Sequence, residues 1–224
     1  MEFDVRLTAD RKLILLHDDS LARTTNGKGK ASALPFAAIR ALDAGSWFHP
    51  SFAGEKVPTL EEALSLLDQE GLGANIEVKA ARASAAAAGA VLADTLLRLS
   101  PSRRRHLLLS SFHREALLAA RERMPTLPSA LIFGGVPRNW ERLARTLGCV
   151  AIHASERRLA PSIVTEIRAG GYALSAYTVN DPLRARTLFE WGVTSVFSDF
   201  PRAILDAMAS RENAATAAAA GAQR

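Results

Sequence analysis

The stretch Ala74-Asn75-Ile76-Glu77-Val78-Lys79 puts polar or ionisable side chains at positions 75, 77 and 79 and apolar ones between them. Successive side chains of a strand point to opposite faces, so Asn75, Glu77 and Lys79 share one face and Ile76 and Val78 the other. Glu2-Phe3-Asp4-Val5 and Leu15-Leu16-His17-Asp18 repeat the theme, with ionisable residues interrupting apolar runs. A carboxylate on an interior face must be paired, hydrogen-bonded or bound to a cation. Three carboxylates, a histidine and a lysine can therefore converge on one spot. The alternation also separates two architectures. A doubly wound sheet, with helices over both faces, needs apolar residues on both. A barrel with its helices outside tolerates polar groups at the carboxyl ends of its strands, where sites form.

Working outward, the chain alternates strand and helix. Glu2 to Arg6 and Leu13 to His17 read as strands joined by the turn Thr8-Ala9-Asp10-Arg11-Lys12, too close for a helical crossover, and so as a hairpin-like excursion. A long polar connection from Asp19 to Ala33 contains Thr24-Thr25-Asn26-Gly27-Lys28-Gly29. Its spacing does not match a Walker A loop, and Asn-Gly marks a turn, so it reads as a rim loop. Pro35 to Leu42 makes a short helix. Thr59-Leu60-Glu61-Glu62 fits a capping box opening a helix whose Leu60, Ala63, Leu64 and Leu67 share a face until Gly71.

From there the repetition is regular. Strands at Asn75 to Lys79, Leu107 to Ser111, Ala130 to Phe133, Val150 to His153, Tyr172 to Thr178 and Ser195 to Ser198 precede helices at Ala83 to Leu99, Glu115 to Arg123, Asn139 to Leu147, Pro161 to Ala169, Asp181-Pro182 up to Gly192, and from about Pro201. Gly148 is the expected helix cap. With the Leu13 to His17 strand set aside, this makes one parallel strand fewer than the eight of a closed barrel. The expectation is an α/β fold of the TIM (β/α)8 type over residues 1–210, with a small insertion at 19–57 and no first β/α unit. The alanine-rich segment 211–224 is expected to be frayed or disordered.

With 48% apolar residues, the 224-residue chain can bury a real core, and with 6% aromatics that core is mostly aliphatic. The net charge of +5 invites a nucleic-acid reading. Placement argues against it. Arg103-Arg104-Arg105-His106 precedes a strand, at the end facing away from a barrel site, and is expected to be a solvated charge run. Arg138, Arg157 and Arg158 follow strand ends and are read as surface arginines. No apolar run reaches about 18 residues and no leader-like start is present, so stable membrane insertion is not expected and the location is read as cytoplasmic. Cys149, the sole cysteine, rules out an internal disulfide and is read as a buried small hydrophobe. His49, His106 and His113 are read as rim or surface residues, His153 as a satisfied inner-face histidine.

Met1-Glu2-Phe3-Asp4-Val5-Arg6-Leu7-Thr8, His17-Asp18, Thr24-Thr25-Asn26-Gly27, Leu42-Asp43-Ala44-Gly45-Ser46-Trp47-Phe48, Pro58-Thr59-Leu60-Glu61-Glu62, Asn75-Ile76-Glu77-Val78-Lys79, Ser110-Ser111-Phe112, Tyr177-Thr178-Val179-Asn180 and Ser198-Asp199-Phe200-Pro201 together resemble the glycerophosphodiester phosphodiesterase family. Each motif alone is weak; the ordered set is specific. The resemblance implies a barrel enzyme that hydrolyses small-molecule glycerophosphodiesters, such as glycerophosphocholine, to glycerol 3-phosphate and an alcohol. It implies that 19–57 is an insertion over the active-site mouth. Residue by residue, it assigns Glu2, Asp4 and Glu77 to a divalent cation, Mg²⁺ or Ca²⁺, His17 to general acid/base catalysis and Lys79 to the phosphate. Hard oxygen ligands suit those cations, and a histidine can both take and return a proton near neutral pH.

Tyr177 stands where the family usually has tryptophan, a substrate-stacking position. Trp47 and Phe48 read either as an apolar lip for the alcohol or as packing within the insertion. The family's opening His-Arg-Gly strand and the following Pro-Glu-Asn-Thr helix are absent, and with them one catalytic histidine. The expectation is a chain cut short at a misassigned start, missing a unit of about 30 residues. Two other readings stand beside the enzyme: an impaired phosphodiester-binding barrel, and a related phospholipase D-like phosphodiesterase.

Overall fold

Two β-strands in antiparallel register open the structure, a computed structural model that describes residues 1–209. The expectation for 211–224 lies outside the described residues. Strand β1 (Glu2–Leu7) turns at Thr8, whose Oγ1 accepts from Lys12 N at 2.9 Å, into β2 (Leu13–Leu15), with Val5 opposite Leu15 and Leu7 opposite Leu13. The hairpin excursion is therefore present, its second strand shorter than expected. The chain falls into two compact units, Met1–Leu131 and one that begins at Ile132.

In the first unit the residues after β2 pack with Ile14 of that strand into a small core. Ile14, Leu16, Leu21, Ala31, Ile39 and Val57 are buried together, with Leu34, Phe36, Leu42 and Ala44 packed against them. Helix α1 (Phe36–Arg40) supplies Ile39, and its Arg40 reaches Glu62 with two hydrogen bonds, at 2.9 and 2.6 Å. Glu62 belongs to α2 (Leu60–Gln69), whose start is the expected capping box. Thr59 Oγ1 accepts from Glu62 N and Glu62 Oε2 accepts from Thr59 N, which satisfies two otherwise orphaned donors. Leu60, Leu64 and Leu67 form the buried face.

Strand β3 (Ala74–Val78) lies parallel to β1, with Glu2 opposite Asn75 and Asp4 opposite Glu77. Ala74, Ile76 and Val78 are buried while Asn75 and Glu77 are only partly so, the alternation read from the sequence. Helix α3 (Ala85–Leu97) starts later than expected because Arg82–Ser84 forms a 3-10 turn. A short helix, α4 (Pro101–Arg104), was not anticipated; four residues are too few to show periodicity. It corrects the reading of the arginine run as merely solvated, since Arg103 donates to the Leu64 carbonyl at 3.1 Å and pairs with Asp68 at 3.2 Å. Strand β4 (Leu107–Ser111) pairs with β3 and with β5 (Ser129–Phe133), and α5 (Arg114–Arg123) packs on α3. That packing is close: a Cβ on Gly89 would sit 2.1 Å from the Ala116 carbonyl oxygen.

In the second unit, α6 (Trp140–Leu147) ends at Gly148, left-handed at φ 67° as its expected cap role requires. Strands β6 (Ala151–Ser155), β7 (Ala173–Tyr177) and β8 (Ser195–Val196) run parallel and bring His153, Ser175 and Ser195 into one row. Helix α7 (Pro161–Ala169) is tied to α6 by a Trp140 Nε1 donation to Glu166 at 2.6 Å. Helix α8 (Pro182–Trp191) carries the expected Asp181 cap, which accepts from Leu183 N, and residues 201–209 are helical. Cys149 is buried. His153 is 1% exposed and stacks edge-on to Phe197, but its Nε2 meets no hydrogen-bond partner among the described residues. The reading of His153 as satisfied is corrected accordingly: the row offers it an aromatic edge where a polar partner was expected.

Candidate active site

The parallel register explains the site. Glu2 and Asp4 are two apart on β1 and share a face; Glu77 is the registered neighbour of Asp4 on β3. Each of the three offers a carboxylate oxygen, and these oxygens lie within 4.8 Å of one another. Three carboxylates this close repel when ionised, and burial adds to that cost at two of them. Burial, then the charges of Asp4 and Glu77, push the Glu2 carboxyl up to about 7, and burial raises Glu77 as well. Lys79, at the end of β3, offsets part of this by pairing with Glu77 and, at 3.4 Å, with Asp4. Its ammonium also lies 5.3 Å from the centre of the Phe112 ring. One lysine does not neutralise three carboxylates. A hard divalent cation fits this all-oxygen donor set.

His17 follows β2 and is 60% exposed at its side chain. Its backbone carbonyl accepts two hydrogen bonds from the Arg6 guanidinium, at 3.0 and 2.8 Å, which fixes the residue beside β1. Its Nδ1 lies 2.7 Å from Asp18 Oδ1. Asp18 is held in turn by Arg23, at 2.5 and 3.0 Å, and the hydrogen bonds from Arg23 and then His17 keep its carboxyl well below the usual range. An ionised carboxylate only accepts, so Nδ1 of His17 is the donor and Nε2 the nitrogen free to take a proton.

Glu2, Asp4, His17, Arg23, Trp47 and Glu55 contribute to the wall of a cavity of about 490 Å³ in this unit. Trp47, 51% exposed, is anchored by its Nε1 donation to the Ala44 carbonyl at 2.9 Å. Phe48 does not line that cavity; its ring packs against Trp47 and Phe52, each 5.7 Å away. Tyr177 belongs to the second unit, where its hydroxyl donates to the Phe133 carbonyl at 2.9 Å. The sequence motifs include Asp18 and Arg6 without giving them work, and Arg23 is not among them. The adjacent His17-Asp18 pair was the available signal for the first; nothing periodic marks the two arginines.

Fold and site together place the chain among α/β-barrel enzymes. The comparisons narrow this. Residues 1–203 match the Glycerophosphoryl diester phosphodiesterase family, and the chain belongs to that family. It is 33% identical over 218 residues to the glycerophosphodiester phosphodiesterase of Bacillus subtilis (strain 168), covering 90% of this chain and 73% of that one. It is 28% identical over 207 residues to that of Caldanaerobacter subterraneus subsp. tengcongensis, covering 92% and 84%. Among solved structures, it is similar to an Oleispira antarctica phosphodiesterase in complex with the product sn-glycerol-3-phosphate. The TM-score there is 0.86 and the identity 33%, over 92% of this chain and 83% of that one. Among the described residues no helix is long and apolar enough to cross a membrane.

Proposed function

We propose that this phosphodiesterase hydrolyses glycerophosphodiesters to glycerol 3-phosphate and an alcohol with the help of a divalent cation, Mg²⁺ or Ca²⁺, held by Glu2, Asp4 and Glu77. The observation that carries the cation is the convergence of three carboxylates from two strands within 4.8 Å. When bound, the cation supplies charge neutralisation at the phosphoryl oxygens. Lys79 adds a fixed positive charge beside the same carboxylates, available to a phosphoryl oxygen. His17 Nε2 moves the proton, and Asp18 is a positioning residue that holds the imidazole in the tautomer with Nδ1 protonated. The segment 19–57, packed in one small core with Ile14 and Leu16, forms the rim that supports Trp47. Trp47 meets the alcohol end of the substrate; Phe48 backs the Trp47 ring. A cytoplasmic location is part of the proposal, supported by the single buried Cys149.

The test is enzymatic release of glycerol 3-phosphate from glycerophosphocholine with and without EDTA, for the wild-type chain and Glu77→Ala. Release that EDTA and the substitution both abolish is expected. Undiminished release in EDTA overturns the cation; no release from any glycerophosphodiester overturns the reaction.

A further inference from the structure

Asn75 takes no part in the cation or proton chemistry described above, yet it stands at the fourth corner of the carboxylate cluster. In the parallel register Asp4 lies beside Glu77 and Glu2 beside Asn75, so the four side chains make two rows on one face of β1 and β3. Three corners are carboxylates and the fourth is an amide. That amide is anchored: Asn75 Nδ2 donates to Ser110 Oγ at 3.0 Å, across the pairing of β3 with β4, and Ser110 is fully buried. With Nδ2 engaged on the β4 side, Oδ1 is left for the β1 side, where Glu2 is the registered neighbour. Asn75 Oδ1 is buried and meets no hydrogen-bond partner among the described residues. A buried carbonyl oxygen without a donor forfeits the hydrogen bonds it made in water, so such an atom calls for an explanation. Its acidic neighbours, when ionised, offer acceptors only. Lys79 is committed to Glu77 and Asp4 in the other row.

A hard cation is the partner that all four corners can share. Side-chain amide carbonyls ligate Ca²⁺ alongside carboxylates, and Mg²⁺ reaches further oxygens through the waters it keeps. The amide also suits the charge of the cluster. A carboxylate at this corner would add a fourth anion to three that already repel, whereas an amide adds an oxygen without a charge. We propose that Asn75 Oδ1 is the fourth protein oxygen of the cation site, and that Ser110, by holding Nδ2, is a positioning residue that directs it there. This rests on the cation reading above and adds two residues to it, one on β3 and one on β4.

The experiment needs no turnover. Ca²⁺ and Mg²⁺ are titrated calorimetrically into metal-stripped wild type, Asn75→Leu, Asn75→Asp, Ser110→Ala and the double variant Asn75→Leu/Ser110→Ala, and the metal-free Tm of each is measured beside the affinity. Asn75→Leu, close in size but without the oxygen, is expected to weaken binding about 10- to 100-fold, the usual cost of losing a supporting partner at a metal site. Asn75→Asp keeps an oxygen and should bind at least as tightly as wild type, while its metal-free Tm falls because a fourth anion joins the cluster. Ser110→Ala should weaken binding on its own but change nothing when added to Asn75→Leu, since it acts through Asn75. Wild-type affinity in Asn75→Leu overturns the proposal, as do equal losses in Asn75→Leu and Asn75→Asp, which would make Asn75 a packing residue. The same loss from Ser110→Ala with and without Asn75→Leu overturns the positioning role. The Asn75→Asp and Ser110→Ala arms decide the matter even where Asn75→Leu does not fold. No binding by wild type overturns the cation reading and this inference with it. The expected pattern in a protein that hydrolyses no glycerophosphodiester supports the four-oxygen site and sinks the reaction alone.

Discussion

Replacing Glu77 by Gln tests the carboxylate cluster through stability, without reliance on turnover. Two unit charges 4.8 Å apart interact by about 3 kcal/mol at an effective dielectric constant near 20. In the metal-free protein the substitution removes repulsions of that order between Glu77 and its two acidic neighbours. It also removes the attraction between Glu77 and Lys79, which is of similar size and opposite sign. The metal-free variant should therefore differ from wild type by only about 1–2 kcal/mol, a difference left by partial cancellation of terms of this size. The response to a cation should differ far more. A ligand at a hundred times its dissociation constant stabilises the native state by about 2.7 kcal/mol. For a chain of this length, that raises Tm by about 5–11 °C.

Differential scanning fluorimetry with Mg²⁺, Ca²⁺ or Mn²⁺ added to EDTA-treated protein reads this directly. Wild type should show a saturable rise and Glu77→Gln little or none at the same concentration. An equal rise in both would mean that the ion binds elsewhere. No rise in wild type with any of the three would refute the argument that this cluster exists to hold a cation.

Three further outcomes follow from the packing and hydrogen bonds. Burial lowers the pKa of His153 to about 4, so between about pH 6.5 and 4 the unfolded chain binds a proton that the folded one does not; stability should rise with pH across that window by up to roughly 3 kcal/mol, and urea unfolding of His153→Leu should lose that part of the slope. Gly89→Ala gains about 1 kcal/mol of helix propensity but sets a methyl 2.1 Å from the Ala116 carbonyl oxygen; the clash with backbone should win, and denaturant unfolding should show a net loss of about 1–3 kcal/mol, whereas a stabilised variant would refute the close approach of α3 and α5. Asp18→Asn leaves the shape intact but no longer dictates the His17 tautomer, so kcat should drop about 10²-fold or more with KM little changed; a change confined to KM would make Asp18 a binding residue instead of a positioning one.

The most legible parts of the sequence were those where one local rule has one structural answer. The period of two in Asn75-Ile76-Glu77-Val78 became a strand with Asn75 and Glu77 on one face, and the short spacing between Val5 and Leu13 admitted only a hairpin. Thr59-x-x-Glu62 and Gly148 carried their caps in their chemistry. The parts missed are contacts with no period. Arg6 reaches the His17 carbonyl over eleven positions, and Arg103 reaches Leu64 over thirty-nine. Long flexible side chains make such bonds wherever a carbonyl comes into range, which depends on packing rather than on spacing. His153 was misjudged for a related reason: a strand pattern says that a side chain points inward, but not whether the neighbouring strand offers it a partner.

The same distinction bears on how the site is built. The carboxylates sit on strands held in register by backbone hydrogen bonds, so their mutual distance is set by the sheet and changes little with side-chain conformation. His17 sits just beyond a three-residue strand, and the contacts that position it are side-chain ones, to Arg6 through its carbonyl and to Asp18 through its ring. Charge placement is thereby the rigid part of the site and proton handling the adjustable part. Substitutions in the Arg6, Asp18 and Arg23 set should accordingly reduce turnover while leaving the cation-dependent rise in Tm intact, and Glu77→Gln should abolish that rise. If Asp18→Asn or Arg6→Lys removed the cation response as well, the two halves would be one structural unit and the division drawn from the sheet register would fail.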